Sequence, residues 1–301
     1  MVKLQRVRKA LQKEPAILPI RSLSVIVPCR GCSPTLLACL HSLRSQRVDL
    51  PVEIIVVING RVFARPSESL SGCIYVHEPV PGPAAARNAG VRAATGDVFA
   101  FIDSDCVADP GWLAAALKVM REGASDCIIA GAITRSGSDK NWASLYDRAT
   151  YLRQEDYVKG SGACVTANLV VHRTVFARIG PFDQAFTEAA FEDWEWSTRA
   201  CRLGVAIVFA GDAVVDHPCM AQLSEVRSKA ERLARGQLLM QHKTRHGVTP
   251  PRLLSVLCGQ LRKPFRNPRL STSERLRVMC IGLAIGFWGW KEARRHFREE
   301  M

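Results

Sequence analysis

Apolar positions along this chain follow two spacings. Short, mainly apolar runs occupy 23–27, 53–58, 73–77, 98–102, 127–133 and 165–172, with shorter ones at 205–209 and 213–215. Runs of this length, rich in Val and Ile and stopped by Pro or Asn-Gly, predict buried strands. Between them the apolar residues recur every three or four positions. Leu36, Leu37, Leu40 and Leu43 predict a helix over 34–46, with Pro34 in its first turn. Further helices are predicted over 84–95, over 110–122 with Asp109 as N-cap, over 173–178, and over 190–203 closed by Gly204. A long amphipathic helix is expected over 221–246, where Leu223, Val226, Ala230, Leu233, Gln237 and Met240 share a stripe. The stretch 136–162 is polar, carries Gly and Ser, and shows no strong period, so it reads as a loop region.

Continuous apolar strands alternating with helices indicate an α/β protein with a mostly parallel central sheet covered by helices on both faces. Ligands of such sheets bind beyond the carboxyl ends of the strands. That places interest on Asn59-Gly60, after the second run, and on Asp103-Ser104-Asp105, after the fourth.

Composition changes the picture little, but charge does. The 301 residues carry a net charge of +13, which would suit nucleic acid if it were spread over one surface. It is concentrated at the ends instead. Residues 1–21 hold six Lys/Arg against one Glu, and 252–301 hold eleven against four. Such ends suit an anionic membrane surface as readily as a phosphate backbone, and without an aromatic-basic surface motif no nucleic acid is expected. The eleven cysteines are an odd number scattered through apolar runs. They do not form the disulfide framework of a small secreted domain. Cys29 and Cys32 make a lone CxxC without zinc-type partner spacing. No apolar segment precedes Pro19, so no secretory signal is read, and a cytoplasmic protein, peripheral at the cytoplasmic face of the membrane, is expected.

Two aspartates at i and i+2 just past a strand can converge on one divalent cation, Mg²⁺ or Mn²⁺, which prefers carboxylate oxygens and substrate diphosphate. Taken alone, an Asp-x-Asp is as readily a turn. Its surroundings weigh against that. Gly82-Pro-Ala-Ala-Ala-Arg87-Asn88-Ala-Gly90, Thr95-Gly96-Asp97 and Phe101-Ile-Asp103-Ser-Asp105 follow in order. Further on come Gly180-Pro-Phe-Asp183 and Phe191-Glu192-Asp193-Trp194-Glu195-Trp196. Together these motifs, over roughly 22–218, resemble the family 2 glycosyltransferases of the GT-A fold.

The resemblance implies an inverting transfer of a sugar from a nucleotide-diphosphate donor, a UDP-sugar foremost, to a hydroxyl on a glycan or lipid-linked glycan acceptor. This is a hexosyltransferase-type activity suited to cell-surface polysaccharide or glycolipid assembly. Position by position, Pro28 and Asn59 would line the nucleoside pocket, with Arg87 and Asn88 near the nucleotide and Asn168 near the donor sugar. Asp105 would be the direct metal ligand, with Asp103 beside it at the ribose or metal and His217 as a further ligand. Asp193 would be the general base, with Glu192 next to it. The sequence departs from the family at Ile58, where a polar residue is common. Trp194 and Trp196, two apart on a helix, cannot face the same way. One is expected in the core and the other at a sugar ring, or both are packing.

Two other readings fit parts of the pattern. A sugar nucleotidyltransferase would need a Gly-rich phosphate loop that Cys29-Arg30-Gly31-Cys32 only faintly echoes, and a non-catalytic nucleotide-sugar-binding protein would accommodate Ile58. The expected organisation is a basic arm over 1–21, a catalytic domain over 22–220 and a helical extension over 221–301. Within the extension, 278–290 is apolar with Trp288 and Trp290 at one end and basic flanks. It is short for a bilayer span and suits either the membrane interface or a core helix.

Overall fold

The computed structural model describes residues 19–60, 72–122, 126–137, 141–244, 251–267 and 270–299. Most of the expected basic arm, residues 1–18, lies outside them. The described chain forms two compact units. The first comprises the residues up to Thr134, Gln154–Thr187 and Glu192–His217, and the second Arg135–Arg153, Glu188–Phe191 and the chain from Pro218 onward. No single cut near residue 220 separates catalytic body from extension.

The first unit is built on β1 (Leu23–Cys29), β2 (Val52–Asn59), β3 (Ile74–Glu78), β4 (Val98–Ile102), β5 (Val107–Ala108), β6 (Cys127–Ser136), β7 (Asn168–His172) and β8 (Ala206–Pro218). They form one sheet in the order β3-β2-β1-β4-β7-β6-β8-β5. The pairs β1–β2, β2–β3 and β1–β4 are parallel, and β7 turns the sheet antiparallel against both β4 and β6. All five residues of β4 are buried, which is why that strand reads as a pure apolar run. Pro28 does not end β1 as expected. The pairing with β4 stops at Ile26, so Pro28 falls where β1 has only β2 beside it, in register with Val57.

Helices α1 (Pro34–Arg44), α2 (Pro83–Ala93), α3 (Trp112–Arg121), α5 (Gln154–Ser161), α6 (Arg173–Ile179) and α7 (Glu192–Arg202) belong to this unit. Ser33 caps α1, its hydroxyl accepting from Leu36 N at 3.1 Å. α2 lies directly on β1 and β2. A Cβ at Gly90 would come within 2.5 Å of Ile26 Cγ2, so this contact requires glycine. α3 starts two residues later than expected. Asp109 makes the turn before it, accepting from Gly111 N at 2.9 Å, and Gly111 stands at the N-cap. The runs at 205–209 and 213–215 are one continuous strand, β8.

The expected loop over 136–162 is largely helical. α4 (Trp142–Thr150), in the second unit, is capped by Asn141, and two of its six buried positions are Ser144 and Asp147. Apolar spacing alone therefore conceals it. α5 is anchored by Gln154, whose buried amide donates to Asn168 O and accepts from Val165 N.

The second unit joins α4 to α8 (Leu223–Thr244), α9 (Leu253–Arg262), a 3-10 turn (Lys263–Arg266) and α10 (Thr272–Glu299). Its core gathers Leu145, Tyr146, Ala149, Val226, Ala230, Val278, Ile281 and Ile285. Buried among these helices, Asp147 pairs with Arg135 and, at 3.6 Å, with Lys229. The apolar run 278–290 is the middle of α10, and its inner face packs in this core. No helix among the described residues is long and apolar enough to cross a membrane.

Candidate active site

The carboxyl ends of β1, β2 and β4 and the start of α7 carry the residues of interest. Past β4 the chain turns tightly, with Cys106 N donating to Asp103 O at 3.1 Å. This turn leaves Asp103 and Asp105 partly exposed, at 30% and 43% of their side-chain surface. β5 follows at once and pairs with β8, Val107 opposite Asp216 and Ala108 opposite Val215. That pairing brings His217 back to the turn across more than one hundred residues. Its Nε2 stands 3.7 Å from Asp105 Oδ1. Atoms of Asp105, Cys106 and His217 that can bind a metal lie within 4.8 Å of one another.

A carboxylate and an imidazole at this spacing fit a divalent cation that keeps its remaining positions for water or diphosphate. Cys106 is a poor third ligand. Burial, with Asp103 and Asp105 close by, pushes its thiol well above the usual range and keeps it protonated.

Arg87 occupies the centre of the site. It projects from α2, only 4% exposed, and forks between two carboxylates. Nη1 donates to Glu192 Oε1 at 2.8 Å and Nη2 to Asp103 Oδ1 at 2.9 Å. Burial works against the guanidinium charge, but Asp103 and Glu192 overcome it and hold Arg87 more firmly protonated than usual. Both arms of the fork are therefore engaged by protein carboxylates.

Glu192 and Asp193 open α7, where the positive end of the helix dipole favours carboxylates. Phe191, just before them, takes a left-handed backbone with φ of 70°. Asp193 accepts from Trp194 N at 2.8 Å. Loss of water around it, followed by repulsion from Glu192, pushes its carboxyl up to about 8 despite the opposing pull of Arg87. Trp196 is wholly buried, its Nε1 donating to Gly180 O, while Trp194 stays partly exposed with its ring 5.6 Å from that of Tyr157.

The other candidates serve the framework. Asn59 donates to Glu78 O and Val80 O and accepts from Gly82 N, binding the end of β2 to the chain entering α2. Asn88 exchanges two bonds with the Phe182 backbone. Asn168 donates to Ala132 O and Ala213 O and accepts from Trp112 Nε1, fully buried, so its amide has no hydrogen left for a donor sugar. Ile58 is buried in β2. Two residues that the sequence did not single out also shape the region. Glu53 accepts from Ser24, Thr95 and Gly96, which fixes the turn before β4. Glu78 accepts from Val80 N and pairs with Arg92. Both sit at strand ends beside glycine turns, but nothing in their own neighbourhoods marks the partners they find.

This geometry can be compared with known proteins. The profile described as Glycosyl transferase family 2 matches residues 24–180, just over half of the chain. The chain belongs to glycosyl transferase family 2. It is 26% identical over 281 residues to glycosyltransferase AglE of Haloferax volcanii, covering 88% of this chain and 91% of that protein. Among solved structures it resembles the mannosyltransferase PcManGT from Pyrobaculum calidifontis, in complex with GDP-Man and Mn²⁺. That match has a TM-score of 0.53 and 17% identity, over 99% of this chain and 81% of the other. GalNAc-T7 with UDP, GalNAc and Mn²⁺ matches with a TM-score of 0.51 and 18% identity, over 66% and 43%. The fold is thus the α/β GT-A fold, and the chain is a glycosyltransferase.

Proposed function

We propose that this glycosyltransferase moves a sugar from a nucleotide-diphosphate donor to an acceptor hydroxyl with inversion, using Asp193 as the base. The observation that carries the reading is the Arg87 fork. It ties Asp103, beside the Asp105–His217 pair, to Glu192, the first residue of α7 and neighbour of Asp193. One side of the site suits a cation and a diphosphate, and the other suits a proton acceptor. Family membership supports this assignment over the nucleotidyltransferase and the non-catalytic binding protein.

Asp105 and His217 would hold a Mn²⁺ or Mg²⁺ ion, with Asp103 near it. Such an ion, when bound, neutralises charge on a departing diphosphate. This chain's own residues do the rest. Arg87 fixes Glu192 and Asp103, while Asp193 accepts the proton of the attacking hydroxyl. Burial and the neighbouring Glu192 make the Asp193 carboxyl hold a proton more tightly than an ordinary aspartate, which makes it a stronger base once that proton leaves. Trp194, partly exposed at the same helix start, offers an apolar surface to a sugar ring. The solved relatives hold UDP or GDP-Man with Mn²⁺, and a UDP-sugar is the donor proposed first. A glycan or lipid-linked glycan acceptor in cell-surface assembly, at the cytoplasmic face of the membrane and reached through the basic ends of the chain, completes the proposal.

The test is a screen of nucleotide sugars for Mn²⁺-dependent transfer or hydrolysis, with Asp105→Ala and Asp193→Asn beside the wild type. Asp105→Ala is expected to weaken metal and donor binding. Asp193→Asn is expected to keep donor binding and lose transfer. Equal loss of donor binding in both variants would refute the division of roles.

A further inference from the structure

Helix α10 has two faces of different character. Val278, Ile281, Gly282, Ile285 and Gly286 are buried in the second unit's core. On the opposite side, Leu276, Cys280, Leu283, Ala284 and Phe287 are exposed, at 57%, 37% and 45% for the two leucines and the phenylalanine in turn. At 100° per residue these positions fall within an arc of about 100°, so they form one stripe. The stripe continues without a break into Lys291, Arg294 and Arg298, all exposed on the same side. Arg295 lies at its margin and is partly neutralised by Glu292, 2.7 Å away.

α9 and its following turn repeat the pattern in the same unit. Leu254 and Phe265 are 75% and 62% exposed, with exposed Arg262 between them, and no residue of α9 is buried. α9 packs against α10. Soluble helices seldom expose such a row of large apolar side chains without a partner. A row that runs into a cationic one matches a bilayer surface, where acyl chains lie beside anionic headgroups.

We infer that the exposed stripe Leu276–Leu283–Phe287 of α10 enters an anionic lipid surface side-on, with Lys291, Arg294 and Arg298 at the phosphates. This rests on the reading of the chain as a membrane-associated transferase and gives that contact a specific insertion face. The helix lies in the interface plane, because its inner face is already committed to the core. The contact is shallow, and it depends on both halves of the stripe.

The experiment is vesicle flotation of the full chain, using phosphatidylcholine alone or mixed in equal parts with phosphatidylglycerol. The wild type is compared with Leu283→Ser/Phe287→Ser and with Lys291→Gln/Arg298→Gln, all four positions being exposed. The wild type should float with the mixed vesicles, and the serine pair should bind at least about tenfold more weakly. The glutamine pair should lose most of its preference for the anionic mixture. Donor turnover in vesicle-free buffer should be unchanged in both pairs. Circular dichroism checks that both remain folded. Failure of the wild type to float, or equal flotation of the serine pair, overturns the inference. So does a wild-type dimer in solution that the serine pair dissolves, since a second copy would then cover this face. Failure of the enzymatic reading shows separately, as flotation intact with no donor turned over.

Discussion

Replacing Arg87 with Met keeps the volume of its side chain in α2 and removes the charge between Glu192 and Asp103. The two carboxylates do not suffer equally. Asp103 is 30% exposed and can take up water, so its loss is small, about 0–1 kcal/mol. Glu192 is 4% exposed and is left buried without its partner. Breaking such a pair from one side costs about 3–5 kcal/mol. The expected destabilisation is therefore about 3–5 kcal/mol. Adding Glu192→Gln removes the orphaned charge and should recover about 2 kcal/mol, so the two changes are not additive. Arg87→Lys should fall between wild type and Met, since one ammonium cannot span both carboxylates. The assay is urea unfolding at pH 7 followed by tryptophan emission, with the slope checked for constancy. If Arg87→Met lies within 1 kcal/mol of wild type, or if Glu192→Gln recovers nothing, the fork does not hold the site together.

Two further outcomes are expected. Asp147→Ala leaves Arg135 and Lys229 as neighbouring buried cations and should cost the second unit about 3–5 kcal/mol in denaturant, whereas a loss under about 1 kcal/mol would contradict the pairing. For Asp193 the folded carboxyl titrates near 8 and the unfolded one near its ordinary value of about 4. The folded protein then holds a proton that the unfolded chain releases. The stability it contributes is complete below about pH 4 and is lost as pH rises to about 8. Measured in EDTA, the stability of wild type relative to Asp193→Asn should fall as pH rises across that window, by up to about 5 kcal/mol, and parallel curves would refute the raised titration.

Much of the parallel sheet was legible in the sequence because its determinants are local. The run 98–102 coincides with β4, and the runs at 23–27, 53–58 and 73–77 lie within a residue or two of β1, β2 and β3. β4 and most of β1 and β2 are buried and so largely apolar, whereas the edge strand β3 leaves Ile74 and His77 exposed. Asp103-Ser104-Asp105 could be placed at a strand end for the same reason. The helices over 142–150 and 154–161 were not legible. Their inward positions include Ser144, Asp147 and Gln154, whose burial depends on partners outside their own helices, such as Met220, Lys229 and Val165.

The site divides in the same way. The sequence determined which residues carry charge and which of them lie at strand and helix ends, because propensity and burial pattern act over a few residues. Only the tertiary structure decided their partners. The β5–β8 pairing delivers His217 to Asp105, and the packing of α2 sends Arg87 to Glu192 while Asn88 and Asn168 are used up inside. The same packing divided the apolar run of α10 into a core face and a free one. Such partnerships depend on distances between elements, and a one-dimensional pattern specifies each element's faces without specifying what meets them.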